Sequence, residues 1–130
     1  MPDPIVRFDG SDIDDLIPEE GNYRAFVHSV KQRTSERGNS TIQVVYELLD
    51  VDPAWDHVSE YFVTTGPNRR ALAISLRRLL SLCRACGLDP GKGDEVNLVH
   101  LVGIEIEIRV GHEIYDRRKR LRVLAHRPRA

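Results

Sequence analysis

The stretch from residue 104 to 110 constrains this chain more than any other. Apolar Ile104, Ile106, Ile108 and Val110 alternate with charged Glu105, Glu107 and Arg109. A period of two puts one set on each face of extended backbone, which defines a half-buried β-strand. After Gly111, the run His112-Glu113-Ile114-Tyr115-Asp116-Arg117-Arg118-Lys119-Arg120 carries a turn and its cations, and Leu121-Arg122-Val123-Leu124 resumes the extended pattern. Residues 101–123 therefore read as a β-hairpin with a basic, aromatic-bearing tip, at once scaffold and candidate contact surface.

Other strands precede it. Residues 1–17 are acidic, bear prolines and lack sustained periodicity, so they are expected to form an arm, with a short turn begun by Ser11 and closed by Leu16 and Ile17. The cluster Pro18-Glu19-Glu20-Gly21-Asn22 opens the folded domain, predicted to span residues 18–127. Residues 23–30 and 41–49 are predicted strands, rich in β-branched and aromatic side chains. Residues 31–40 between them form a polar, basic loop in which Gly38 and Asn39 can take positive φ. A connecting loop at 50–56 holds Pro53 and Trp55, and a third strand is expected at 57–64.

Gly66-Pro67-Asn68 then changes the period. From 69 to 86, Leu72, Leu76, Leu79, Leu80 and Cys83 recur at helical spacing while Arg70, Arg77 and Arg84 share another face. Asn68 is placed to cap this helix and Gly87 to end it. Three strands, a helix and two strands match a mainly β chain folded as a five-stranded, partly open Greek-key barrel of the oligonucleotide/oligosaccharide-binding (OB) type, with the helix between strands 3 and 4. A three-stranded meander with a helix and a separate hairpin is the alternative.

The 130 residues suit one domain, and 41% hydrophobic with 30% charged content is that of a folded globular protein. No apolar run approaches the ~20 residues of a membrane-spanning helix, and Met1-Pro2-Asp3-Pro4 begins no secretory signal. A cytoplasmic location and no membrane partner are expected. The net charge of −1 hides a segregation: acids crowd the start, including Asp9, Asp12, Asp14 and Asp15, and arginines the end. Such a field faces an anionic partner or neutralises itself between arm and basic surface.

Catalytic and metal motifs are wanting. Cys83-Arg84-Ala85-Cys86 is a lone C-x-x-C near a helix end, without the second ligand pair a structural zinc requires, and reads as two packed thiols. Gly91-Lys92-Gly93 lacks phosphate-loop spacing, and the histidines form no H-E-x-x-H. Asp12, Asp14 and Asp15 read as a solvated arm rather than a metal cluster. No nucleophile and base pair can be assembled, so the chain is expected to be non-enzymatic and without a cofactor.

Basic loops with aromatics nearby are the informative pattern, because single-stranded nucleic acid is held by cations along its phosphates and rings stacked on its bases. In an OB barrel the first-to-second and fourth-to-fifth strand loops flank a face made by strands 2 and 3. Lys31, Arg33, Arg37, Arg117, Arg118, Lys119 and Arg120 are the expected phosphate contacts, and Trp55, Tyr61 and Tyr115 the expected stacking platforms. Tyr46, on a strand, is a further candidate platform, though strand aromatics more often pack in the core.

Short motifs carry a resemblance. Pro18-Glu19-Glu20-Gly21-Asn22-Tyr23, Gly38-Asn39-Ser40, the helix ending at Leu88, Leu101-Val102-Gly103 and Tyr115-Asp116-Arg117 together resemble a phage and prophage family often described as single-stranded DNA-binding, over residues 13–126. The resemblance implies an OB barrel that coats single-stranded DNA during phage or prophage replication or recombination, in the host cytoplasm if phage-encoded. Arg117 stands where the family outline has glycine. The chain also ends in basic His126-Arg127-Pro128-Arg129-Ala130, whereas bacterial single-strand binding proteins as a class recruit partners through an acidic tail. A protein-interaction module of a replication or recombination complex, without direct DNA binding, is the alternative function, and a homo-oligomer would lengthen the path for a strand.

Overall fold

The computed structural model describes residues 3–7 and 16–129. The expected arm at 1–17, with its acidic residues at 9, 12, 14 and 15 and its turn at Ser11, falls largely outside the described residues. Five strands make one antiparallel sheet: β1 (Gly21–Thr34), β2 (Ser40–Leu48), β3 (His57–Val63), β4 (Glu105–Tyr115) and β5 (Arg118–Pro128). Their order across the sheet is β3-β2-β1-β4-β5, with β1 at its centre. One α-helix, α1 (Arg69–Ala85), lies between β3 and β4 in the chain, and single 3₁₀ turns at Pro53–Trp55 and Leu98–Leu101 lead into β3 and β4. The chain is thus mainly β with one helix, as its periodicities predict.

Alternation fixes the core. Ile106, Ile108 and Val110 of β4 meet Ala25 and Val27 of β1, Val44, Tyr46 and Leu48 of β2, and Val58 and Phe62 of β3 on the buried side, where α1 adds Leu82 and Cys83. Each large aliphatic or aromatic side chain so buried contributes about 1.5–3 kcal/mol. The helix packs against both β3 and β5, the two ends of the sheet order. Asn68 caps it, its Oδ1 accepting from the Ala71 amide at 3.1 Å. It ends where Gly87, at φ +90°, lets its own amide donate to Arg84 and that of Leu88 to Cys83.

Three local expectations need correction. First, β1 runs on through Thr34 opposite Ser40, so Lys31 and Arg33 are strand residues and the connection shrinks to residues 35–39. A bulge at His28, between Val27 and Ser29, separates the half of β1 that pairs with β4, Gly21 to Phe26, from the half that pairs with β2 alone. Second, β4 and β5 pair up to Tyr115 and Arg118, so the expected basic loop at 111–120 is mostly strand, and the turn is only Asp116-Arg117. Third, α1 turns Ser75, Leu79, Leu82 and Cys83 inward, while Leu76 is half exposed. Arg78 shares the inward side because a buried carboxylate awaits it.

The hairpin turn is strained by its sequence. Asp116 and Arg117 hold φ of 49° and 63°, the paired positive values of a type I′ turn. An arginine there carries a cost of about 1–2 kcal/mol that glycine lacks. Arg117→Gly is therefore expected to raise thermal stability by about 1 kcal/mol, or roughly 3–5 °C in Tm by calorimetry. An unchanged or lower Tm would show that the Arg117 side chain compensates the turn.

Candidate nucleic-acid interface

Even-numbered residues of β3 point inward and odd-numbered ones outward. On the outward side, the strand registers place Lys31 of β1, Gln43 of β2 and Tyr61 of β3 in one cross-strand row. The adjacent rows are Arg33, Thr41 and Val63, and Ser29, Val45 and Ser59. At the ~4.8 Å strand spacing, each row spans about 10 Å from β1 to β3. Tyr61 is half exposed, with its ring available to solvent. Among the described residues, no ion pair joins Lys31, Arg33 or Arg37 to a carboxylate. Arg37 sits on the exposed turn that closes this end of the face.

The opposite end of the face meets a cleft of about 540 Å³ between β3 and β5. Trp55, Tyr61, Lys119 and Arg120 line it, together with Arg78 of α1 and Arg122 of β5. Ile17 and Pro18 also reach its wall, where His112 Nε2 donates to the Pro18 carbonyl at 2.8 Å. Trp55 is half buried by the 3₁₀ turn that carries it. Arg120 is spoken for: its Nε donates to Glu113 Oε1 at 2.6 Å, and its guanidinium lies 3.9 Å from the Tyr115 ring centroid. One face of the Tyr115 ring is thereby covered. Arg117 and Arg118 stand at the exposed hairpin tip, outside the cleft lining.

The ten expected site residues thus divide. Lys31, Arg33 and Tyr61 share the outward face with Arg37 at its end, whereas Trp55, Lys119 and Arg120 join Tyr61 around the cleft, and Tyr115, Arg117 and Arg118 form the tip. Tyr61 belongs to both surfaces. Tyr46 is fully buried, as a core strand residue should be.

Beneath the cleft lies a polar cluster that the sequence reading missed. Glu60, 4% exposed, accepts from Tyr46 Oη at 2.6 Å and His126 Nε2 at 2.7 Å on one oxygen. Its other oxygen accepts from Arg78 Nη2 at 2.7 Å and Nε at 3.2 Å. His126 Nδ1 lies at hydrogen-bond distance, 3.2 Å, from Ser81 Oγ. Burial works to raise the Glu60 pKa, but the bonds from His126, Tyr46 and Arg78 outweigh it and hold the carboxyl below its ordinary value. Tyr46 is pushed well above the ordinary phenol by burial and by Glu60. The signal for this cluster was available: Glu60 falls between Val58 and Phe62 at the inward parity of a strand, where an acid requires partners.

Cys83 is buried and Cys86 half-buried. Burial raises Cys83, and burial with the neighbouring Cys83 pushes Cys86 up to about 11. Among the described residues, no group of three or more His, Cys, Asp or Glu side chains is arranged to hold a metal ion. No described helix is long and apolar enough to cross a membrane.

No curated protein sequence matches the chain significantly. A family model described as "Protein of unknown function (DUF669)" matches residues 7–129. That match takes in every strand, the helix and both surfaces, and the chain belongs to the DUF669 family.

Proposed function

We propose that the chain is a non-enzymatic single-stranded DNA-binding protein of phage or prophage replication or recombination, holding its strand across the outward face of β1, β2 and β3. The observation that carries this is the row Lys31, Gln43 and Tyr61, with Arg33 in the adjacent row and Arg37 on the turn at its end. Cations at one side of a half-exposed ring suit a phosphate backbone whose bases stack without regard to sequence. Duplex DNA offers no free base face to Tyr61, so preference for the single strand follows. We also propose that the sheet is the OB-type barrel: β3 and β5 end the sheet order yet approach each other, and α1 packs on both.

Fluorescence anisotropy of labelled oligothymidine, with the matching duplex as control, tests the proposal. Four neutralised phosphates would give a slope of about −2.8 in log affinity against log salt, or roughly 50-fold weaker binding at 200 than at 50 mM. Replacing Arg118 and Lys119 by alanine is expected to flatten that slope; an unchanged slope would remove the hairpin from the contact surface. Absence of binding at low salt would sink the proposal. A protein-interaction role is favoured by one separate observation, the unpaired edge of β3.

A further inference from the structure

The edge of β3 that faces the cleft carries unused hydrogen-bonding capacity, and its phase can be read. At one end of β3 the Leu48 amide donates to Asp56 O at 2.6 Å, and at the other the Thr64 amide donates to Ser40 O at 3.0 Å. Even-numbered residues of β3 therefore bond to β2, and the amides and carbonyls of His57, Ser59, Tyr61 and Val63 point the other way. Two of these groups are capped by the helix. The Val63 amide donates to Ser75 Oγ at 2.6 Å, and Arg78 Nη2 approaches the Tyr61 carbonyl at 3.4 Å. No strand pairs with this edge among the described residues, because β3 ends the sheet order. His57, Ser59 and Tyr61 meanwhile line the 540 Å³ cleft, whose far wall is β5.

We propose that this cleft binds an extended acidic peptide of a partner protein, which adds to β3 as a further strand alongside His57, Ser59 and Tyr61. One feature selects a peptide over a nucleic-acid strand. An edge of alternating N–H and C=O groups needs a ligand that both donates and accepts at the two-residue repeat of a strand, about 6.7 Å. Phosphodiester oxygens only accept, and would leave the Ser59 carbonyl unmatched. Acidity follows from the walls, where Arg78, Lys119, Arg120 and Arg122 outnumber Glu60 and Glu113. Glu60 is already consumed by its four donors and Glu113 by Arg120, so Lys119 and Arg122 present their charge to the occupant. The peptide would use the main chain of the edge, whereas the DNA proposal uses side chains of the outward surface; Tyr61 and Lys119 are shared by the two.

The test uses the full chain and a fluorescein-labelled octapeptide of alternating aspartate and valine, read by anisotropy at low salt. Two further peptides carry N-methyl groups on one or the other set of alternate amides, with charge unchanged. The unmodified peptide should bind, and one of the methylated pair should bind at least 10-fold more weakly. Ser59→Pro deletes an edge amide that β2 does not use, and proline is tolerated at sheet edges. It should cost a similar factor while far-UV circular dichroism stays unchanged. If that variant fails to fold, Arg122→Glu takes its place, with at least a 10-fold loss expected. Equal binding of all three peptides, or unaltered peptide affinity in the folded variant, would overturn the proposal. So would displacement of the peptide by oligothymidine together with loss of oligothymidine binding in Ser59→Pro, which would give the cleft to nucleic acid. Peptide binding by a chain that ignores oligothymidine would sink the DNA proposal alone.

Discussion

Glu60→Ala is expected to lower Tm by about 10–15 °C, the equivalent of roughly 3–5 kcal/mol. The carboxylate is the common acceptor for Tyr46, His126 and Arg78, and its removal strands the phenol and imidazole in the core and leaves Arg78 unpaired above Phe62. Each buried group left without a partner costs about 1–3 kcal/mol. Tyr46→Phe, which removes one donor and keeps the ring, should cost only about 1 kcal/mol. The pH dependence has a definite sign. The folded-state pKa of Glu60 lies below its ordinary value of 4.5, so its stabilisation is complete above that value and is lost as pH falls through the lowered one. Glu60→Gln lacks this contribution, and the wild-type and variant Tm curves should therefore converge in acid. Parallel curves down to pH 2 would mean that the carboxylate is not the charged hub of the cluster.

The second large effect concerns binding. Tyr61→Ala should weaken oligothymidine binding by about 1–3 kcal/mol, between roughly 5-fold and 150-fold, with the salt slope preserved. Tyr61→Phe should keep most of the affinity, because stacking needs the ring and not the hydroxyl. The triple replacement of Lys31, Arg33 and Arg37 by alanine should do the converse and flatten the slope by about 2. Separating the two responses in one titration series distinguishes stacking from charge. A flattened slope in Tyr61→Ala would instead mean that the ring acts by positioning a cation, and equal loss on duplex would deny any role for exposed bases.

Much of the sheet was legible because one face of each strand is buried. Ile106, Ile108 and Val110 could be read directly, and so could Val44, Tyr46 and Leu48. Where β1 passes its bulge, that signal fades. Lys31, Gln32, Arg33 and Thr34 are all exposed, and they look like loop residues because nothing covers either of their faces. Only pairing with residues 40–43 makes them a strand, and pairing across a turn leaves no period in the sequence. The same holds for Ile114 to Lys119, where two strands meet in solvent.

The helix failed for a different reason. Its leucines fit more than one stripe, and the stripe chosen depends on Glu60, eighteen residues before Arg78, which draws a cation into a face that hydropathy would keep apolar. The site was half legible on similar grounds. The cations and aromatics could be named from composition, but bringing Lys31 opposite Tyr61, or Trp55 across from Lys119, required two registers and the approach of β3 to β5.

The central position of β1 also sets an order on the birth of the fold. As the ribosome delivers the chain, β1 can pair with β2 almost at once, but its other flank waits for β4, whose first partner residue, Glu105, lies 79 positions after Phe26. Until then Ala25 and Val27 have no cover from Ile106 and Ile108. Nascent chains halted before β4 emerges should thus remain protease-sensitive and hold at most a three-stranded meander, and the domain should acquire its resistance late and in one step.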